Sequence, residues 1–351
     1  MTTYREAWRT RGALGWLVSF GLMSFYLALY FTEWLTPLSE RIGLHDKWFL
    51  YSVVYSVAMV GGGIYFLRRH GNSRYQRLRT YVNIGVQVLL GFCVPFAMKL
   101  AGSKDYYFQY FWPLKIDYLF PGTLRSLPVY LVLYAMLGSL IAVPVITYFY
   151  GKRWYCSWVC GCGALANTFG DPWRHLSDKS TKAWRFENAS IYTVLGVAIA
   201  TTVLVGANQF LGGGHGTFTL VANEVQHYYF VVVGSILAGV VGTGLYPVLG
   251  TRVWCRYFCP MAAMLGLIQK LGRFRITVKK DMCISCGNCS TYCEMGIDVR
   301  SYAQSNQSFT RASCVGCGVC AHVCPRGVLK LENQPRLSGD KKRQSLRIVD
   351  F

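Results

Sequence analysis

Apolar residues gather along this chain in runs of about 20, the length that carries a helix across the hydrocarbon core of a bilayer. Six runs stand out, at roughly 13–35, 48–67, 81–101, 127–149, 190–211 and 228–249. The pattern predicts an all-α polytopic membrane domain of six transmembrane helices over 1–249. After 250 the chain turns polar, basic and cysteine-rich. That shift sets off a linker over 250–279, a small domain over 280–331 and a short basic tail over 332–351. Tryptophans 34, 48, 112, 154, 158 and 254 fall near the expected span ends, where amphipathic rings are favoured. Gly61-Gly62-Gly63 lies inside the second span and suits close helix packing. Cys93, near Pro95 in the third span, reads as an inert small hydrophobe.

Charge then orients the helices. The net charge is +20, with 36 Lys and Arg against 16 Asp and Glu. An even number of spans puts both termini on one side. The segments on that side hold most of the Lys and Arg, while the opposite loops hold Arg41, Lys47, Lys104, Lys115 and Arg125. The positive-inside rule therefore predicts cytoplasmic termini. No nucleic-acid recognition motif accompanies the charge, so the basicity reads as topology and not as nucleic-acid binding. The N-terminus, MTTYREAWRTRG, shows no cleavable leader pattern.

The 14 cysteines change the picture most. Most fall on the side predicted to be reducing, which disfavours disulfides. Cys283-x-x-Cys286-x-x-Cys289-x-x-x-Cys293 is followed by Cys314-x-x-Cys317-x-x-Cys320-x-x-x-Cys324-Pro325. Zinc sites use separated pairs, whereas runs of four thiolates suit iron–sulfur cubanes. In two-cluster ferredoxins the fourth cysteine of each run ligates the other cluster. That assigns Cys283, Cys286, Cys289 and Cys324 to a first [4Fe–4S] cluster, and Cys314, Cys317, Cys320 and Cys293 to a second. The C-terminal domain is thus predicted to be a small α+β two-cluster ferredoxin of bacterial type. It has no room for a substrate pocket, so it is an electron conduit and not a catalytic centre. Glu294 stands where the first run would carry proline.

An internal repeat supplies a third candidate site. Gly151-Lys-Arg-Trp-Tyr-Cys156-Ser-Trp-Val-Cys160 follows the fourth span. Gly250-Thr-Arg-Val-Trp-Cys255-Arg-Tyr-Phe-Cys259-Pro260 follows the sixth, 99 residues later. Duplicated units of one orientation are related by an axis along the membrane normal, which would bring the two pairs together. Cys156, Cys160, Cys255 and Cys259 could hold a third [4Fe–4S] cluster near the membrane surface, or another soft metal such as copper, or act as redox thiols. Cys162 is a substitute ligand. Arg153 and Arg252 are placed beside the thiolates, where guanidinium groups would raise a cluster's potential.

Histidines 45, 70, 175, 215, 227 and 322 do not lie deep in the expected spans, which argues against an intramembrane haem. A quinone site belongs near a membrane surface. Glu224 with His227, or the neighbourhood of Asp105 and Asp117, would take quinol protons on the far side, though solvated loop charges are the plainer reading.

Taken together, the six spans, the two Cys-x-x-x-Cys motifs and the double-cluster tail resemble the membrane-bound polyferredoxins. That family includes the membrane subunit of the periplasmic nitrate reductase quinol dehydrogenase, the nitrous oxide reductase regulatory membrane protein and the cytochrome oxidase accessory ferredoxin. The likeness covers about 150–331 by motif and the earlier spans by topology, and the nitrate-type subunit is nearest in layout. Cys259-Pro260 keeps the family's Cys-Pro ending, whereas Cys160 precedes Gly161. The resemblance implies a bacterial inner-membrane subunit of a respiratory chain. It would pass electrons between the quinone pool, or a cytoplasmic donor, and a partner redox protein such as another iron–sulfur subunit, a cytochrome or a terminal reductase. The alternative is a copper reductase or maturation factor for a respiratory enzyme.

Overall fold

The computed structural model describes residues 4–42, 46–102, 106–210 and 216–333. His45, Lys104, Asp105, His215 and the basic tail from 334 onward lie outside them. Six helices are long and apolar enough to cross a membrane: Gly12–Phe31, Lys47–His70, Arg74–Leu100, Val129–Tyr150, Thr181–Phe210 and Thr217–Val241. These are called the first to sixth spans. Their outward faces carry large apolar side chains such as Leu14, Val57, Leu137 and Val203, as contact with lipid requires. The sixth span begins earlier than the hydropathy pattern suggests and includes Glu224 and His227, both exposed.

The third and fourth spans each contain a π-helical turn, Leu89–Cys93 and Gly138–Ala142. A proline follows each turn, Pro95 and Pro144. Proline cannot donate to the preceding turn and its ring crowds the carbonyl four residues back, so the helix widens there. Both widened turns receive the chain between these spans. That segment is not a loop on the far surface. It folds back into the bundle as a re-entrant strap with a cis Trp112-Pro113 bond and a short 3-10 turn at Ile116–Leu119. A Cβ on Gly138 would sit 2.5 Å from the Phe111 ring, and one on Gly91 would sit 3.0 Å from Gln109 Nε2. Trp112 Nε1 donates to Thr202 Oγ1 at 3.0 Å, so Trp112 anchors the strap against the fifth span. Irregular backbone at this depth is tolerated because protein surrounds it.

A second re-entrant segment enters from the opposite end. It follows the fourth span through short helices at Arg153–Cys156 and Gly161–Asn167. A Cβ on Gly62 would lie 2.5 Å from Phe169 N of this segment and one on Gly63 2.6 Å from Ile84 of the third span, so two of the three glycines serve packing, one of them between helices, while Gly61 meets nothing within 4 Å. Trp254, expected at an interface, is buried.

The ferredoxin region closes the ferredoxin side of the bundle. Strands β1 (Phe274–Val278) and β2 (Leu329–Asn333) pair antiparallel, with Phe274 opposite Asn333 and Val278 opposite Leu329. The second cysteine run is seated on the helices. Tyr75 Oη donates to Gly316 O at 2.9 Å, Arg79 Nη1 to Cys317 O at 2.6 Å and Ser157 Oγ to Val315 O at 2.7 Å. Gln269 Nε2 donates to Cys314 O at 2.9 Å.

Candidate metal centre

The two cysteine runs share one backbone plan. Ser285 and Gly287 in the first, and Gly316 and Gly318 in the second, all have left-handed φ. Alternating left- and right-handed residues turn successive N–H groups inward into an anion-binding nest, as thiolate-bound iron requires. Position 316 must be glycine, because a Cβ there would meet Arg153 Cβ at 2.6 Å. Its counterpart carries serine because the first run faces outward, with Cys286 exposed. Cys283, Cys286, Cys289 and Cys324 line a single pocket. Cys314, Cys317, Cys320 and Cys293 form the second group, in which burial pushes Cys320 up and the other three push it further. Burial likewise pushes Cys314 up to about 12 and Cys317 up to about 11. Thiols held this way release protons when metal binds.

Cys156, Cys160, Cys255 and Cys259 are all buried in one core cluster. Burial pushes the Cys259 thiol up, and Cys255, Cys160 and Cys156 add to the effect. Cys162 lies within hydrogen-bond reach of Cys160 and pulls its pKa down against the effect of burial. The quartet is not at the membrane surface, as the sequence led us to expect. Tyr55 Oη donates to Gly161 O at 2.9 Å, and Gln87 Nε2 donates to Val159 O at 2.6 Å. Tyr55 lies about 12 Å along the second span from its far end, by the helical rise per residue. The same core cluster includes Tyr229 and Val233, well inside the sixth span. Tyr155 Oη donates to Gln109 O of the strap at 2.9 Å. The two re-entrant segments therefore meet around the quartet, well inside the bundle. Hydropathy marks both as loops because each is short and broken by glycine or proline.

A buried charge network ties the quartet to the second cysteine group. Glu294 is fully buried between two arginines. Arg174 Nη1 donates to its Oε2 at 2.7 Å and Arg252 Nη2 to its Oε1 at 3.0 Å. Burial pushes the Glu294 carboxyl up, and Arg174 and Arg252 outweigh it, holding the group below the usual carboxylate range. Arg252 Nη1 also reaches Cys255 Sγ at 3.6 Å and Cys156 O at 3.1 Å, while Arg174 Nη1 reaches Cys317 Sγ at 4.0 Å. Arg153, the repeat mate of Arg252, instead lies over the Phe274 ring at 5.1 Å. The repeat glycines do match: Gly151 and Gly250 have φ of 69° and 95°. Each lets the chain leave a helix where other residues would be strained.

The donors fit anionic clusters. Arg79, Arg174, Arg252 and Lys152 are buried here, against the carboxylates of Glu294 and Asp171. Arg79 Nε and Nη2, Arg174 Nη2 and Arg252 Nε have no hydrogen-bond partner among the described residues. Buried guanidinium N–H groups without acceptors are costly, and clusters ligated by four thiolates carry negative charge that would meet them. Among the described residues no three of His, Cys, Asp and Glu stand close enough to grip one ion. His70 closes the network at its edge, 3.4 Å from Asp171, with His322 packed on it at 5.3 Å between ring centres. Asp117 lies within the strap, 3.8 Å from Lys115 Nζ, and is not a freely solvated loop charge.

Comparison with known proteins points to iron–sulfur domains in the same parts of the chain. Residues 276–331 match a 4Fe-4S dicluster domain, and 132–180 and 232–279 each match a 4Fe-4S binding domain. The two matched copies of the latter contain the two Cys-x-x-x-Cys motifs. The putative electron transport protein YccM of Escherichia coli K12 is 28% identical over 158 residues, 44% of each chain. The methylamine utilization ferredoxin-type protein MauN of Methylobacillus flagellatus is 28% identical over 182 residues, 51% of this chain and 59% of the relative. MauN of Paracoccus denitrificans is 23% identical over 167 residues, 44% of this chain and 54% of the relative. The chain thus spans about half the length of the curated relatives it matches. No solved structure matches it.

Proposed function

We propose that this chain is a membrane polyferredoxin, an iron–sulfur electron-transfer protein, which moves electrons between the solvent edge of its ferredoxin region and a centre sunk within its helices. Cys283, Cys286, Cys289 and Cys324 would hold the outermost [4Fe–4S] cluster, and Cys314, Cys317, Cys320 and Cys293 the next. Cys156, Cys160, Cys255 and Cys259 would hold a third. Clusters held there supply one-electron storage at successive depths. The supporting observation is the buried excess of arginine N–H donors around the inner two sites, which clusters ligated by four thiolates would satisfy. The protein's own part is to fix the order: Ser157 and Arg174 hold the second group against the quartet.

At the outer end, Cys286 and the neighbouring Ile284 are exposed, which suits brief docking of a soluble redox partner. The inner end lies at lipid depth and faces the quinone pool. A partner redox enzyme, a cytoplasmic orientation of the ferredoxin side and a place in the bacterial inner membrane belong to the same reading. Purified anaerobically, the protein should contain about twelve iron atoms for three cubanes. It should show three paramagnetic signals on reduction, and Cys255→Ser should delete one of them. About eight iron atoms and an unaltered spectrum in Cys255→Ser would reduce the quartet to a thiol site.

A further inference from the structure

The solvent edge of the ferredoxin region is basic. Over 276–331 the exposed charged residues are Lys279, Lys280, Arg300, Arg326 and Lys330 against Asp281 alone. Asp281 already accepts from Asn306 Nδ2 at 2.7 Å. Among the described residues none of the five cations forms an ion pair. Surface charge is often mere solvation, so its placement has to decide. Arg300 and Arg326 line the same pocket as Cys283, Cys286, Cys289 and Cys324. Arg300 Nη1 lies 4.0 Å from where a Cβ on Gly287 would be, beside the turn between Cys286 and Cys289. Arg326 stands in the tight turn after Cys324, closed by Gly327 N donating to Cys324 O at 3.1 Å. Lys279 joins that turn through its own N–H, which donates to Val328 O at 2.9 Å, and Lys330 follows on β2. Inside this rim Ile284 is 54% exposed and Pro325 is exposed. The inner sites are met by buried arginines, whereas these cations stand in solvent, free for something outside the chain.

We propose that this rim docks a small soluble redox protein whose electron-carrying edge is acidic. An apolar centre within a polar rim is the anatomy of a protein interface, and opposite charge steers the encounter without making it lasting. An anionic membrane surface would meet the same cations. The second cysteine run is the one seated on the helices, however, which turns the first run and its rim away from the spans. The inference rests on the electron-transfer reading, which supplies the reason for docking, and adds to it the sign of the partner's charge and the residues that select it.

Two soluble haem proteins of opposite surface charge serve as probes, the acidic haem domain of cytochrome b5 and the basic cytochrome c. The holoprotein, in nanodiscs of neutral lipid, is reduced with dithionite and freed of the excess. One electron then passes from the protein to ferric haem, which becomes ferrous, and no proton moves. Stopped-flow absorbance should show the rate with cytochrome b5 falling as salt rises, and the rate with cytochrome c rising. At about 0.1 M salt charges act over about 10 Å, so only local ones count. There Arg300→Glu with Arg326→Glu should slow cytochrome b5 about three- to tenfold, the scale of two exposed charge pairs, and should speed cytochrome c. Arg74→Glu with Arg77→Glu, exposed at the start of the third span, should change neither rate. Iron content and the outermost cluster's signal are recorded on every variant. If charge reversal costs that cluster, Arg300→Gln with Arg326→Gln carries the same comparison. Rates indifferent to salt, or a reversal that leaves both rates as they were, would overturn the proposal. So would a reversal that spares both rates but abolishes co-sedimentation with phosphatidylserine vesicles, since the patch would then be a lipid contact. In a protein that keeps its iron and reduces both haems, these results sink the docking face alone. A protein without iron sinks the electron-transfer reading instead.

Discussion

Glu294 shows what a single residue can do where a motif departs from its usual form. It occupies the position after the fourth cysteine of the first run, where the second run has Pro325. Its carboxylate clamps one arginine that reaches Cys317 and another that reaches Cys255. The sequence showed the substitution but not its consequence, because Arg174 and Arg252 lie 120 and 42 residues away. Arg252 was legible beside its cysteine through the repeat, yet the same repeat misplaced Arg153, which packs on Phe274 instead. Glu294→Gln keeps the shape and removes one negative charge lying between two centres. Adding an electron to either centre then becomes easier. Potentiometric titration should show the second ferredoxin cluster and the quartet both rising in midpoint potential, with the outermost cluster least affected. If neither potential moves, Glu294 is a docking residue only.

Among elements, the re-entrant segments were hidden from a reading based on hydropathy. That reading found all six spans because each is a long apolar run, and lipid on one face leaves no alternative to a helix. The strap between the third and fourth spans is apolar and aromatic too, but it is short and interrupted by Pro113, Lys115 and Asp117. Such a segment survives at depth only because the partner helices make room, at Gly91 and Gly138 in their π-helical turns. Glycine at 138 is therefore a steric requirement. Gly138→Val drives a side chain into the Phe111 ring and should cost about 1–3 kcal/mol, the usual penalty for overpacking. Gly85→Val in the third span meets nothing within 4 Å and serves as the control. Thermal unfolding in detergent should show a clearly lower midpoint for Gly138→Val than for Gly85→Val. Equal midpoints would mean the strap is not packed against that turn.

At the scale of the whole molecule, the cysteine groups differ in how far each lies from solvent. The chain's organisation into spans and a cysteine-rich end was legible from composition. The seating of that end was not, since a two-cluster motif reads the same whether it hangs free or is docked. What docks it is a set of backbone carbonyls of the second run, taken by Tyr75, Arg79, Ser157 and Gln269. The first run is left outermost, with Cys286 exposed, while the quartet cysteines are only 4–5% exposed. Oxidant and chelator reach iron through solvent, so loss should follow that order. Timed treatment with ferricyanide and EDTA should first remove one cluster signal and about four iron atoms per chain, the content of one cubane. Cys286→Ala should begin in that depleted state, still inserted in the membrane and with the inner two signals intact. The quartet signal should be the last to fade, because reaching it requires opening the helix bundle itself. If it vanished before the ferredoxin signals, the quartet would have to lie near the surface, and the burial that sets this order would be wrong.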